Sequence, residues 1–126
     1  MSKGLKFVMR DPKKDHIVQW QVKWQMPDAD GELVEVGFKG HFKILPSDEV
    51  EALFGGGVFG RFANNAKNRE GLEKVLVNWS GVMDPDGGGE APFSDERLKQ
   101  VLNYEDAVTA CIRAYIDCLQ GHHEKN

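Results

Sequence analysis

Residues 16–45 read HIVQWQVKWQMPDADGELVEVGFKGHFKIL, and this stretch decides the fold. Val18, Trp20, Val22, Trp24 and Met26 alternate with Gln19, Gln21 and Lys23, a period of two with one apolar and one polar face. That pattern predicts a half-buried strand. Pro27 to Gly31 supply turn chemistry. The alternation then resumes, with Val34, Val36, Phe38, Phe42 and Ile44 on one face and Glu35, Lys39, His41 and Lys43 on the other. Gly40 falls on the apolar face, where a bulge or a close neighbour is expected. Residues 5–10 form a shorter run of the same kind, separated from residue 16 by a Pro- and Asp-containing turn. Three such runs predict an N-terminal antiparallel meander with one apolar face.

The period changes after Pro46. Ser47 is the expected N-cap of a first helix, with Asp48 and Glu49 in its positive first turn. Gly55, Gly56 and Gly57 end it. From Asn68, the residues Leu72, Val75, Leu76 and Trp79 at i, i+3, i+4 and i+7 predict a second helix running through Trp79. Ser94 caps a short third helix that turns Leu98, Val101 and Leu102 inward. Asn103 is the expected cap of a fourth, with a stripe of Val108, Cys111, Ile112, Tyr115, Cys118 and Leu119, and Gly121 as its stop. The expected class is α+β: about three strands, then about four helices packed on one face, as one domain over residues 1–121 with a frayed tail at 122–126.

Composition narrows the function. The 126 residues carry 16 Lys and Arg against 20 Asp and Glu, a net charge of −4. Such a balance argues against a nucleic-acid-binding module, which usually carries a basic stripe. No apolar run approaches the roughly 18 residues of a membrane span. The basic N-terminus lacks the apolar core of a signal peptide, so the expected compartment is the cytoplasm. Charge is uneven along the chain. Residues 1–63 hold nine basic and nine acidic side chains, whereas residues 64–126 hold seven and eleven. The acidic excess therefore lies wholly in the helical half.

Tests for chemistry return little. Gly55 to Gly57 follow a helix and lack the Gly-Lys-Ser/Thr ending of a phosphate loop. Asp84, Asp86 and Gly89 imitate part of a calcium loop, but Gly88 and Asp95 stand where ligating side chains belong. His122 and His123 lie near Cys118 without a second ligand pair at zinc spacing, and His16 and His41 occupy strand positions. Cys111 and Cys118 lie two helical turns apart, too far for a disulfide, and read as packing. Ser80 has no Gly-x-Ser-x-Gly setting. The expectation is no catalytic residue, no metal and no cofactor. The aromatics say more. Trp20, Trp24, Phe38 and Phe42 belong to the apolar sheet face. Phe54, Phe59 and Phe62 cluster with glycines in an irregular segment; they read first as core, and alternatively as an adaptable apolar patch that holds a partner.

Two blocks of sequence resemble a known family. The first is Gly37-Phe38-Lys39-Gly40-His41-Phe42-Lys43-Ile44-Leu45 followed by the acidic residues 47–53. The second is VLVNWSGVMDPDGGGEAPFSDERLKQVL, residues 75–102, followed by a helix carrying Ala114 and Tyr115. Together they resemble the tail assembly chaperones of long, non-contractile-tailed bacteriophages. Phe38, Phe42, Lys43 and Leu45 match that family's first element. Leu76, Val77, Trp79, Gly81 and Val82 match its second, Asp84 and Gly87 its turn, and Pro92, Phe93 and Ser94 its helix start; Ala114 and Tyr115 match the pair on its closing helix. The N-terminal Trp20 to Trp24 hairpin departs from the pattern, and Gly88-Gly89 enlarges the turn.

The resemblance implies a non-enzymatic role in the host cytoplasm. Such a chaperone binds the tape measure protein, keeps it soluble, helps recruit tail tube protein, and is missing from the finished virion. A longer frameshifted form often joins it, and this chain resembles the short form. Self-association is also implied. Phe54, Phe59 and Phe62 are then the expected partner surface, while Phe38, Phe42, Trp79, Gly81, Pro92, Phe93 and Tyr115 are expected to be structural. A structural tail component retained in the particle, or a small metal-dependent enzyme, are the alternative classes.

Overall fold

The structure is a computed structural model that describes residues 4–11, 13–54, 65–85 and 87–121. The element order is β1 (Ile17–Pro27), β2 (Leu33–Lys43), α1 (Ser47–Phe54), α2 (Asn65–Val75), β3 (Leu76–Ser80), α3 (Asp95–Val101) and α4 (Glu105–Gln120). The strands form one antiparallel sheet in the order β1-β2-β3. The fold is α+β, with a three-stranded antiparallel sheet and four helices among the described residues.

In the long hairpin Trp20 lies opposite Gly40, Val22 opposite Phe38 and Trp24 opposite Val36. Its turn is held by Asp28, whose Oδ1 accepts the Asp30 N–H at 2.9 Å and the Glu32 N–H at 3.0 Å. The third strand is not the one that the alternation at residues 5–10 predicts. Those residues form no strand, and their side chains face water. The second helix instead stops at Val75, and Leu76–Ser80 pairs with the far edge of β2. The stripe Leu72, Val75, Leu76 and Trp79 is buried as expected, but by two different elements. The ladder offered by β2 outweighs one further helical turn, and Leu-Val-Asn-Trp is as well suited to a strand. A register shift beside His41 and Phe42 accommodates the short strand.

Helix ends follow partly from the sequence. Ser94 caps α3 by accepting the Arg97 N–H at 3.1 Å. Gly121 ends α4 in the left-handed region at φ 72°. Two expected caps shift. The Pro46 carbonyl accepts the Val50 N–H at 3.0 Å, so Ser47 lies inside the first turn of α1. Tyr104, not Asn103, sits at the start of α4, and the Asp106 carboxylate takes the Ala107 N–H at 2.8 Å.

The core gathers Tyr115, Phe42, Phe54, Leu72, Leu76, Leu98, Leu102 and Ile112 between the sheet and the helices. The Tyr115 ring lies 5.6 Å from that of Phe42 and 5.8 Å from that of Phe54. Its hydroxyl donates to the Lys43 carbonyl at 2.9 Å. Gly40 has the close neighbours that its position suggests: a β-carbon there would lie 2.8 Å from the Phe42 ring and 3.1 Å from Leu76. Arg69 binds α2 to the α3–α4 turn, donating from Nε to the Leu102 carbonyl at 2.6 Å. Among the described residues, no helix is long and apolar enough to cross a membrane.

Gly71 shows how closely α1 and α2 pack. A β-carbon there would overlap the Phe54 ring. Alanine at an exposed helix position would stabilise by about 1 kcal/mol. Here it must displace a fully packed ring, and overpacking costs about 1–3 kcal/mol. Gly71→Ala is therefore expected to lower stability in a urea denaturation, whereas a gain would show that the Phe54 ring does not rest on Gly71.

Candidate functional site

The sheet and the last two helices leave a groove of about 500 Å³. Its floor comes from the strands: Trp24 and Met26 of β1, Val36 and Phe38 of β2, and Trp79 of β3. One wall is the turn after β3, with Val82, Met83 and Pro85. The other is the α3–α4 corner, with Arg97, Val101, Tyr104 and Ala107.

Strand alternation and aromatic packing build the floor. Phe38 lies edge-on to Trp24 at 6.4 Å and to Trp79 at 5.9 Å. Trp79 meets Phe93 edge-on at 5.0 Å and donates its indole N–H to the Ala91 carbonyl at 2.8 Å. Edge-to-face contacts of this kind each add about 0.5–1.5 kcal/mol beyond burial. Trp24 is less settled, because its indole nitrogen is buried with no hydrogen-bond partner.

The Gly-rich turn is a closed hairpin. Asp84 N–H donates to the Gly89 carbonyl at 2.8 Å, Ala91 N–H donates to the Val82 carbonyl at 2.7 Å, and Met83 bridges to Glu90. Gly81 is in the left-handed region at φ 90°, where a side chain is strained, and its N–H donates to Glu90 Oε1 at 2.6 Å. This turn stands Met83 up beside the groove. Among the described residues, no three His, Cys, Asp or Glu side chains gather to hold a metal ion.

Three apolar side chains at the groove are unusually open to water. Met26 is 38% exposed, Met83 61% and Tyr104 67%. Two methionines and a tyrosine around an aromatic floor make an adaptable contact surface, since the flexible thioether fits many shapes. Its charged lining is one side chain of each sign, Asp106 and Arg97.

Of the three residues expected to form the partner surface, the structure describes Phe54 alone. Phe54 is buried under Tyr115 and over Gly71, so it belongs to the core. Phe59 and Phe62 lie outside the described residues, as do Asp86, His122 and His123. Of the residues expected to be structural, Phe38, Trp79 and Phe93 form one aromatic row at the groove, with Gly81 in its wall. Phe42 and Tyr115 pack in the opposite part of the core. Pro92 is exposed, and its carbonyl accepts from Arg97 at 3.4 Å.

Sequence reasoning missed the groove because it treated Trp24 and Met26 as core along with their strand-mates. The available signal was at the ends of elements: Met26 next to Pro27, Met83 in a Gly-rich turn and Tyr104 between two helices are all apolar residues where a chain usually turns polar. No protein-family model matches the chain, and searches of curated proteins and of solved structures likewise give no match.

Buried titratable groups sit away from the groove. Burial pushes the Cys111 thiol up to about 12 and the Cys118 thiol up to about 11. Burial also pushes the Tyr115 phenol up to about 12, partly offset by a backbone hydrogen bond from Leu45 and reinforced by Cys118. Each group is held neutral in the folded chain, and its contribution is complete below the unfolded values of 9.0 and 10.0. That contribution is lost as pH rises toward 12. Stability measured by denaturation should fall across that alkaline window. At about pH 8, a thiol reagent should modify both cysteines rapidly only after unfolding.

Proposed function

We propose that this chain is a tail assembly chaperone that holds an amphipathic helix of a tape measure protein in the groove between sheet and helices. The observation that carries this reading is the open apolar groove itself, with Met26, Met83 and Tyr104 exposed around an aromatic floor. A tape measure protein is a long helical chain whose apolar stripe needs cover until the tube forms around it. Helix-in-groove recognition supplies that cover, with affinity from apolar anchors and selectivity from charges at the rim. Asp106 and Arg97 at the rim favour a client whose stripe is flanked by charges of both signs.

Recruitment of tail tube protein and release before the virion is complete are part of the same proposal. They rest on the sequence resemblance carried by residues 37–53 and 75–102. The reading moves the client contact from residues 54–62 to the groove, because Phe54 is a core residue.

The test is co-purification with a tape measure segment, followed by titration. Met83→Asp with Tyr104→Asp should weaken binding at least about tenfold, the equivalent of about 1.4 kcal/mol. Both positions are exposed, so the fold should persist with an unchanged denaturation midpoint. Phe59→Asp with Phe62→Asp should bind as the parent does. Full binding by the first pair and loss by the second would return the contact to residues 54–62. Mass spectrometry of purified virions should find the chain missing; its presence would make it a retained tail component.

A further inference from the structure

One wall of the groove is a helix corner with little of its own to hold it. Val101 and Tyr104 line the groove from the last residue of α3 and the residue just before α4. The backbone bonds across this corner are long. The Asn103 N–H lies 3.3 Å from the Gln100 carbonyl, and the Tyr104 N–H 3.3 Å from the Val101 carbonyl. Well-formed bonds of this kind measure about 2.9–3.0 Å. The Tyr104 side chain makes no cap bond at the start of α4, and it is 67% exposed.

The hold on the corner comes from α2. Arg69 donates from Nε to the Leu102 carbonyl at 2.6 Å, and its Nη2 lies 3.7 Å from Glu105 Oε2. Leu102 caps the end of α3 and Glu105 begins α4. One planar guanidinium therefore joins two helix ends on either side of Tyr104. A helix end leaves its last carbonyls without intrahelical partners, and a cation there is a favourable cap. Asn65 fixes Glu105 further, donating from Nδ2 to Oε1, while its own Oδ1 accepts from the buried Asn68 at 3.4 Å. The Glu105 side chain is 75% exposed, and an exposed ion pair contributes little alone. The short, charge-assisted bond to the Leu102 carbonyl is the firmer contact. Arg69 itself does not line the groove.

We propose that Arg69 is a positioning residue for the groove, holding Tyr104 from outside where a client's apolar stripe can meet it. The proposal rests on the client reading for what the groove binds, and adds that its wall is set from α2. Lysine does not replace this arginine, because an ammonium lacks the planar fork that serves a carbonyl and a carboxylate together. Without the fork the corner depends on its long backbone bonds. The floor of Trp24, Phe38 and Trp79 is fixed by its own ring contacts and stays in place.

Amide hydrogen exchange of the free full chain, followed by titration with a tape measure segment, tests this. Arg69→Met keeps an apolar stem and removes every donor. It should speed exchange at residues 103–107 and leave residues 24–26 at the parent rate, the mark of a local opening. It should also weaken segment binding about fivefold, within the range of substitutions that act through a neighbour. Arg69→Lys should weaken binding nearly as much. In a Tyr104→Ala background, Arg69→Met should cost little more, since Tyr104 carries the effect. Unchanged exchange at residues 103–107 overturns the proposal. So does a loss of affinity that is the same with and without the Tyr104 ring, which would mark a general loss of stability. If the parent binds the segment and Arg69→Met binds it equally well, Arg69 positions nothing and the client reading stands. If Arg69→Met loosens residues 103–107 while no form binds the segment, the client reading falls and the hold on the corner stands.

Discussion

The buried phenol of Tyr115 holds the two halves of this protein together. It projects from α4, packs its ring between Phe42 and Phe54, and donates its hydroxyl to the carbonyl of Lys43 at the end of β2. One side chain therefore links the last helix, the central strand and the first helix across 72 residues of sequence. A hydroxyl taken out of water needs a partner, and a backbone carbonyl beyond the sheet ladder provides it. The bond fixes where α4 lies on the sheet. Tyr104 and Ala107 lie two to three turns earlier on the same helix, so that placement also sets the wall of the groove.

Much of this arrangement was legible in residues 16–45 and in the stripe of α4. The strict alternation around Trp20 and Phe38 has one physical solution, a hairpin with a buried face. The helical stripe from Val108 to Leu119 likewise points one way. Leu72 to Trp79 was ambiguous because the same four apolar positions satisfy a helix or a helix followed by a strand. Local spacing cannot see that β2 has an unpaired edge to fill. The alternation at residues 5–10 misled for the converse reason. A strand exists only with a partner, and residues 5–10 do not pair with the outer edge of β1; the third strand comes instead from Leu76–Ser80 on the far edge of β2. Cap positions moved by one residue, since Pro46 and Tyr104 do with backbone geometry what Ser47 and Asn103 would do with side chains.

The groove was the least legible feature. Its floor residues alternate like core, and its rim is assembled from three separate segments around Met26, Met83 and Tyr104. The acidic excess of residues 64–126 does not collect there, since the charged lining of the groove is one Asp106 and one Arg97.

Amide hydrogen exchange of the full chain, with and without a saturating tape measure segment, tests the central claim most directly. The account predicts that the segment slows exchange at residues 24–26, 81–85 and 101–107, the three segments around the groove. Unchanged exchange there, with new protection confined to residues 54–62, would contradict it.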